Sequence, residues 1–140
     1  GKGYYTNPGI RENKTFSVCL PSEDMAEITD YCGIVSGKKT DKSEIFDLYY
    51  GELKTAPLIR DCPLCVECKL VEIVESGLNE IFIGEIVGTY TEERFLTDGK
   101  LDFRKMKPLI LSQPDTSYWR LGEQVARAWS IGKKYKAKRK

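Results

Sequence analysis

The chain has 140 residues, the length of one domain, and its mix of 41% hydrophobic and 31% charged residues excludes a disordered polypeptide. The net charge is +1, but six cationic residues lie between 132 and 140, so the remainder carries −5 and makes a poor nucleic-acid surface. The absence of histidine excludes a Ser-His-Asp triad, a Cys-His pair and a histidine-ligated metal. No apolar run is long enough to span a membrane.

The first third of the chain predicts two helices and one strand. Residues 6–11 predict a short helical turn, and the alternating residues 15–20 predict a strand that Pro21 ends. Ser22 is a good helix N-cap, and a helix is expected from about 23 to 31, ended by Gly33 and the Ser36-Gly37 pair. Residues 41–47 predict a second short helix.

The middle of the chain predicts the sheet. Residues 49–54 are expected to be extended, and residues 64–74 and 81–90 are the clearest strands because they are rich in Val, Ile and aromatic residues. Gly84 and Gly88 inside the second of these strands indicate a bulge, or a place where another backbone or a flat ligand comes close. Asp98-Gly99 predicts a turn, and residues 109–111 a short strand.

The end of the chain predicts a helix over residues 121–130, with Leu121, Val125 and Trp129 on one face. Strands and helices do not alternate regularly, which disfavours a parallel doubly wound sheet. We therefore expect a mainly β domain over residues 1–131, an antiparallel barrel with peripheral helices. A basic tail follows over 132–140 and is expected to be a solvated terminus.

Cys62, Cys65 and Cys68 form a C-x-x-C-x-x-C run that invites a metal or iron–sulfur interpretation. A fourth ligand at matching spacing is missing, and the odd separation of Cys65 and Cys68 places them on opposite faces of a strand. Packing of small buried thiols is therefore favoured, and no metal site is predicted. The odd number of cysteines and the polar start of the chain, without a secretory signal, predict reduced thiols and a cytoplasmic protein.

Two polar segments are candidate anion sites. The loop at 36–39, Ser-Gly-Lys-Lys, offers backbone N–H groups, a hydroxyl and cations that suit a phosphate or a flavin pyrimidine edge. Lys2 and Thr6 place a cation and a hydroxyl together near the start of the chain. As bare patterns, both are more typical of an ordinary solvated surface, and neither a P-loop nor a G-x-G-x-x-G motif is present.

Five segments together resemble the flavin reductase-like family, and flavoredoxins in particular, in the family's order and nearly its spacing. They are KGYYTNPGIRENKTFSVCLPSEDM, DYCGIVSGKKTDK, APLIRDCPLCVECKLVEIVE, FIGEIVGTY and YWRLGEQVARAWSIGKKY. The resemblance covers almost the whole chain. It implies a split β-barrel that binds FMN, usually as a homodimer with the flavin near the subunit interface.

The resemblance also implies which residues bind the cofactor. Lys2 and Thr6 match positions near the FMN phosphate, and Cys19 stands where the family usually has Asn, just before the Pro21-Ser22 step near the cofactor. Cys32, Gly33, Ser36 and Lys42 match the loop beside the flavin, with Lys42 near the pyrimidine edge. No side chain is assigned a catalytic role, because the redox chemistry belongs to the flavin. The cofactor set is therefore Lys2, Thr6, Cys19, Ser22, Cys32, Gly33, Ser36 and Lys42.

The expected function is electron transfer through bound FMN by an NAD(P)H:flavin oxidoreductase-like protein. An FMN electron carrier without its own nicotinamide site, fed by a redox protein, is one alternative, and an oligomeric module that has lost its flavin is another. Family members begin with strands that line the flavin site, and this sequence starts after them. We therefore expect the 140-residue chain alone to bind FMN weakly, because an open barrel exposes strand edges.

Overall fold

The computed structural model describes residues 1–135. Its strands are β1 Thr15–Leu20, β2 Leu48–Tyr50, β3 Pro57–Ile59, β4 Leu64–Ser76, β5 Asn79–Tyr90, β6 Leu96–Thr97, β7 Lys100–Leu101, β8 Leu109–Ser112 and β9 Ser117–Arg120. Its α-helices are α1 Thr6–Asn13, α2 Ala26–Ile34 and α3 Phe103–Met106, with 3₁₀ turns at Glu23–Met25, Ser43–Ile45, Glu93–Phe95 and Ile131–Lys134. The expected mainly β architecture with peripheral helices is confirmed. The part of the predicted tail beyond residue 135 lies outside the described residues.

The central sheet has the strand order β1-β4-β5 and is antiparallel throughout. Around it lie three two-stranded antiparallel ribbons, β2-β3, β6-β7 and β8-β9. An isolated bridge between Ser22 and Pro108 joins the end of β1 to the start of β8. Among the described residues, no helix is both long and apolar enough to cross a membrane.

The long hairpin β4-β5 carries two irregularities in its pairing. The register shifts between Glu67 and Cys68, where Val87 is the extra residue, and again between Leu70 and Glu72, where the extra residue is Val71. Such bulges increase the local twist of a strand pair and help a sheet to curl. The sequence signal from Gly84 and Gly88 is therefore confirmed as a region of irregular pairing.

A buried carboxylate ties the hairpin to the segment after β2. Glu67 is fully buried and accepts hydrogen bonds from the backbone N–H groups of Gly51 at 3.0 Å, Glu52 at 3.1 Å and Leu53 at 3.3 Å. The Tyr90 hydroxyl donates a fourth bond at 2.8 Å. A buried carboxylate is tolerated only when its oxygens are satisfied in this way.

The hydrophobic core sits between β4, β3 and the start of α2. Leu58, Cys62 and Cys65 are its buried members. Half-buried apolar residues surround them, namely Cys19, Met25, Tyr49, Ile59 and Tyr90. Two of the three cysteines of the C-x-x-C-x-x-C run are thus core residues, as the packing interpretation predicts.

The first predicted helix is present but differs in detail. It begins as a 3₁₀ turn at Glu23–Met25 and continues as α2 through Gly33 to Ile34, so it ends between Gly33 and the Ser36-Gly37 pair. Ser22 holds the N-cap position, but its side chain makes no capping hydrogen bond. The Lys42 ammonium stabilises the helix C-terminus, because it donates hydrogen bonds to carbonyl groups there.

The predicted helix over residues 121–130 is wrong. This stretch is irregular except for a turn near its end. The residues of its expected apolar face find no core, since Val125 is 97% exposed and Trp129 is 94% exposed. A helix of this length is only marginally stable without tertiary packing. Apolar periodicity alone therefore predicted a helix that does not form. The predicted helix at 41–47 is likewise reduced to the single 3₁₀ turn Ser43–Ile45.

Candidate functional site

A cavity of about 480 Å³ opens between β1, α2 and the β2-β3 ribbon. This volume falls within the range of small-molecule sites, roughly 300–1,000 Å³. Its walls are mostly apolar, with a few polar groups among them. The lining residues are Thr6, Ser17, Cys19, Pro21, Met25, Thr29, Cys32, Lys42, Ser43, Phe46, Leu48, Pro57, Ile59 and Cys62.

Four of the eight residues expected to bind a cofactor line this cavity: Thr6, Cys19, Cys32 and Lys42. They come from α1, β1, α2 and the loop before Ser43–Ile45, so the fold brings together residues from separate elements. An open cavity therefore lies beside the segment that contains Cys32 and Lys42. The binding roles of these residues stay predictions.

The other four expected residues do not line the cavity. Lys2 forms an ion pair with Glu75 at 2.6 Å, and its backbone N–H donates to the Leu78 carbonyl at the tip of the β4-β5 hairpin. Gly33 and Ser36 lie at and beyond the end of α2, both exposed. Ser22 is half-buried at the bridge to Pro108. Their assignments rest on the resemblance alone and stay predictions.

Lys42 is held at the cavity wall with part of its hydrogen-bonding capacity in use. Its ammonium donates to the carbonyl oxygens of Cys32 at 2.8 Å and Val35 at 3.0 Å. A lysine ammonium has three N–H donors, so one remains for a ligand. The half-buried ammonium therefore presents a fixed positive charge and a hydrogen-bond donor at the edge of an apolar site.

The start of α1 adds a second polar feature to the cavity. Thr6 is the first residue of this eight-residue helix, no side chain caps its N-terminus, and its first turn has no acidic residue. The first N–H groups of a helix lack intrahelical partners and carry partial positive charge, which favours an anion such as a phosphate. The cavity thus combines an apolar slot with one end suited to an anion.

Three thiols meet at the inner side of the cavity. Cys19 and Cys62 line it, and Cys65 lies behind them, 1% exposed, with its sulfur 3.4 Å from the Ile59 carbonyl oxygen. Hydrogen bonds from Cys62 and then Cys65 lower the pKa of Cys19 well below the usual thiol range. The same contacts raise the pKa of Cys62, and raise that of Cys65 to about 11. One sulfur of the trio is therefore the preferred thiolate.

The sequence places Cys62 and Cys65 in one run with Cys68, but nothing in the sequence indicates that Cys19 lies close to them. The strand register supplies the reason, because β1 and β4 place Cys19 directly opposite Cys65. Cys68 instead pairs with Phe16 on the other face of the sheet, as the odd separation predicts. Among residues 1–135, no three His, Cys, Asp or Glu side chains are arranged to hold a metal ion.

A second and larger cavity, of about 600 Å³, is a weaker candidate. It lies between α3 and residues 120–124 and contains none of the residues expected to bind a cofactor. Its basic side chains are already paired: Lys107 and Arg120 contact Glu23 at 3.3 and 3.5 Å, and Arg104 contacts Asp102 at 2.9 Å. Little positive charge is left there to attract an anionic cofactor.

Comparisons with known proteins point to one family. Residues 2–111 match the family model described as "Flavin reductase like domain". A protein of Archaeoglobus fulgidus described as uncharacterized is 34% identical over 104 residues, covering 73% of this chain and 58% of that protein. A second, from Aeropyrum pernix, is 30% identical over 111 residues, covering 76% and 41%. The chain thus spans about half the length of these two relatives.

Solved structures give the same answer for the fold. Flavoredoxin from Methanosarcina acetivorans superposes with a TM-score of 0.92 and 51% identity, over 94% of this chain and 71% of that one. Flavoredoxin of Desulfovibrio vulgaris (Miyazaki F) gives 0.86 and 34%, over 94% and 72%. A split-barrel protein from Shewanella frigidimarina described as a flavin reductase gives 0.71 and 24%, over 84% and 61%. The expected split-barrel fold is confirmed.

Proposed function

This chain belongs to the flavin reductase-like domain family, and on that premise we propose that it binds FMN in the 480 Å³ cavity and passes electrons through it. The observation that carries the proposal is the gathering of Thr6, Cys19, Cys32 and Lys42 around one apolar cavity. The similarity to two flavoredoxins supports it. The bound flavin would supply the redox chemistry, and the protein would bind and orient it.

The donor set of the cavity fits FMN. Apolar side chains such as Phe46, Leu48 and Ile59 offer surfaces for a flat ring system, and they exclude water from it. Thr6 and the uncapped start of α1 suit the phosphate. The spare N–H of Lys42 suits the pyrimidine edge, where it would stabilise the negative charge that builds up on reduction.

The electron donor divides the proposal into two forms. In the first, the protein is a reductase that accepts electrons from NADH or NADPH. In the second, it is a carrier that receives electrons from another redox protein. Anaerobic addition of either nicotinamide to the FMN-loaded protein distinguishes them, since bleaching of the flavin absorbance supports the reductase and an unchanged spectrum with both supports the carrier.

The assembly and location proposed here follow the family resemblance. We infer a homodimer, supported by the many apolar side chains exposed on the single chain, Val125, Trp129 and Leu121 among them. The five cysteines of the chain are free in the structure. Free thiols support a reducing compartment such as the cytoplasm.

FMN titration followed by flavin fluorescence tests the proposed site. We expect saturation at one FMN per chain, with weaker binding of riboflavin, because riboflavin lacks the phosphate that Thr6 and α1 would hold. Thr29→Trp places an indole in the cavity and is expected to abolish binding. Ile34→Trp, on the same helix but 75% exposed, is the matched control and is expected to bind normally.

Two results would contradict this site. Unchanged binding in Thr29→Trp would show that FMN binds elsewhere on the molecule. No binding by the protein with either flavin, together with a colourless purified sample, would favour the oligomeric module without flavin. Circular dichroism of each variant establishes that a loss of binding reflects the cavity and not the fold.

A further inference from the structure

Cys19, Cys62 and Cys65 form a thiol centre assembled from separate parts of the chain. Cys19 lies on β1, Cys62 precedes β4, and Cys65 is the second residue of β4. Cys65 is directly opposite Cys19 in the strand register, and Cys62 lines the same cavity as Cys19. Cys19 is half-buried at the cavity wall, and the other two are buried, so a ligand in the cavity reaches the centre through Cys19 and Cys62. Packing alone does not require three sulfurs to meet.

The strand pairing places Cys19 and Cys65 in a geometry that a disulfide can bridge. The Leu70 N–H donates to the Lys14 carbonyl oxygen at 2.8 Å, so the pair 14/70 is of the hydrogen-bonded type. Pair types alternate along an antiparallel ladder, and the register from Thr15 opposite Lys69 to Leu20 opposite Leu64 is uninterrupted. Cys19 and Cys65 therefore form a non-hydrogen-bonded pair.

Residues in such a pair have their Cα atoms about 4.5 Å apart, and their side chains lie on the same face of the sheet. Disulfides span Cα separations of roughly 4.4–6.8 Å. Closing the bond between Cys19 and Cys65 thus needs rotation of the side chains and no shift of either strand. Cys62 lies in the adjoining loop and lines the same cavity, with its sulfur 4.0 Å from the Met25 sulfur.

We propose that Cys19, Cys62 and Cys65 are a redox centre in which Cys19 and Cys65 close a reversible disulfide, with the two electrons passing to or from a flavin held in the adjoining cavity. This rests on the proposed function for the electron acceptor. In the oxidising direction, the Cys19 thiolate and the Cys65 thiol form one S–S bond between their Sγ atoms, and the S–H bond of Cys65 breaks. The two electrons and this one proton go to the oxidised flavin. Cys62 stays reduced.

The chemistry of the trio matches these roles. A thiolate is the attacking species in disulfide formation, and Cys19 is the sulfur of the trio whose pKa is lowered. The pKa of Cys65 is raised, which suits a thiol that keeps its proton until the bond forms. Cys62 acts as a positioning residue, since it lies beside Cys19 but does not enter the bond. The centre thus has a nucleophile, a bonding partner and a neighbouring thiol that influences the nucleophile.

The disulfide is tested first without flavin. The flavin-free protein is equilibrated in glutathione buffers of rising oxidised fraction, quenched in acid, alkylated and mapped by mass spectrometry. We expect two of the five thiols to become protected together and to yield a linked Cys19–Cys65 peptide pair. If all five thiols stay open to alkylation throughout, or if the linked pair omits Cys19 or Cys65, the proposal is overturned and the cysteines are packing residues.

A matched pair of variants locates the bond. Cys65→Ser is expected to abolish the linked peptide, whereas Cys68→Ser should retain it, because Cys68 is equally buried on the same strand but faces Phe16. If Cys65→Ser fails to fold, Cys19→Ser tests the same bond at a half-buried position, and it is also expected to abolish the linked peptide. A linked peptide that disappears in Cys68→Ser and persists in Cys65→Ser contradicts the cross-strand assignment.

The flavin step is tested separately under anaerobic conditions. FMN reduced by light is mixed with the disulfide form, and we expect the absorbance of oxidised flavin to return at one flavin per disulfide, with no return in Cys19→Ser. If the disulfide forms but reduced FMN is not reoxidised, the electron-transfer half of the proposal fails. If FMN binds but no disulfide forms, this proposal fails and the proposed function stands. If FMN does not bind, the proposed function fails while the disulfide result is kept.

Discussion

At the scale of single residues, the most consequential contact is the one between Cys62 and Cys19. The resemblance assigned Cys19 to the cofactor site because of its position before Pro21, where relatives usually have an amide. The structure adds that two other thiols, Cys62 and Cys65, surround it, and that these neighbours lower its pKa. A thiol with a lowered pKa forms a thiolate more readily, which allows redox chemistry that an amide at this position could not perform.

Cys62 is the group that does most to lower the pKa of Cys19, and alanine at position 62 removes it. A thiol reacts as its thiolate, so the alkylation rate of Cys19 rises as the pH passes through the pKa of this thiol. Because Cys62→Ala raises that pKa, we expect the rise in the alkylation rate to move to higher pH. Iodoacetamide labelling across pH 4–9 measures the profile.

Cys32→Ser is the control for this experiment. Cys32 also lines the cavity, but it makes no hydrogen bond to Cys19, so the pH profile of Cys19 should be unchanged. An identical profile for Cys62→Ala and the parent protein would show that the thiol donors do not set the reactivity of Cys19.

At the scale of elements, the long hairpin β4-β5 determines how closely β1 can pack. A Cβ atom added at Gly84 on β5 would lie 2.6 Å from Cζ of Phe16 on β1 and 3.0 Å from Cβ of Cys68. The missing side chain is what allows the Phe16 ring to lie across β4 onto β5. The group that lies closest to Gly84 is therefore an aromatic side chain of the protein itself, and not the backbone or flat ligand that the sequence suggested.

Gly84→Ala is expected to destabilise the fold by about 1–3 kcal/mol, because the added methyl group forces Phe16 or the strands apart. Gly33→Ala is instead expected to stabilise the fold. A Cβ at Gly33 would contact nothing within 4 Å, and alanine within a helix stabilises by roughly 0.5–1 kcal/mol relative to glycine. Urea unfolding of both variants measures the difference, and a Gly84→Ala variant as stable as the parent would contradict this packing.

The sequence predicted elements well where burial and local pattern agree. The strands β4 and β5 follow from their Val and Ile content, and the turn at Asp98-Gly99 follows from two residues that tolerate positive φ, here 51° and 70°. The helix expected at 121–130 does not form. Apolar periodicity predicts that a helix would have an apolar face, but it does not show that another element packs against that face. Val125 and Trp129 have no partner surface within the described chain.

The candidate site could be predicted only in part, for a similar reason. Thr6, Cys19, Cys32 and Lys42 were found because a resemblance carries positions across without needing their spatial arrangement. The cavity's other walls, such as Thr29, Phe46 and Ile59, carry no motif and become neighbours only through the packing of α2 against β2 and β3. The pairing of Cys19 with Cys65 likewise depends on register, which a single sequence does not fix.

At the scale of the whole molecule, the single chain leaves much apolar surface in solvent. Trp129 at 94% and Val125 at 97% exposure lie on the irregular segment after β9, and Ile86 and Ile81 on β5 are more than half exposed. Large exposed apolar groups of this kind mark interaction surfaces. The proposed homodimer would cover some of them. Tryptophan is among the residues that contribute most to the binding free energy of protein interfaces.

Trp129→Ser is expected to weaken the homodimer by about 2 kcal/mol, or roughly 30-fold in the dimer dissociation constant, because a large aromatic anchor is lost. Leu78→Ser is the control, since Leu78 is 87% exposed at the tip of the β4-β5 hairpin. Sedimentation velocity over a range of concentrations gives both constants. A monomeric parent protein, or equal weakening by the two variants, would contradict a dimer built on the C-terminal segment.

The buried carboxylate of Glu67 has a mechanical consequence for the cavity. Its four hydrogen bonds link the residues that follow β2 to the middle of β4 and to Tyr90 at the end of β5. The ribbon that forms one wall of the cavity is thereby anchored to the long hairpin. An outward movement of that wall would break these hydrogen bonds, so we expect a ligand to enter from the opposite side, where α2 and the Lys42 loop meet solvent.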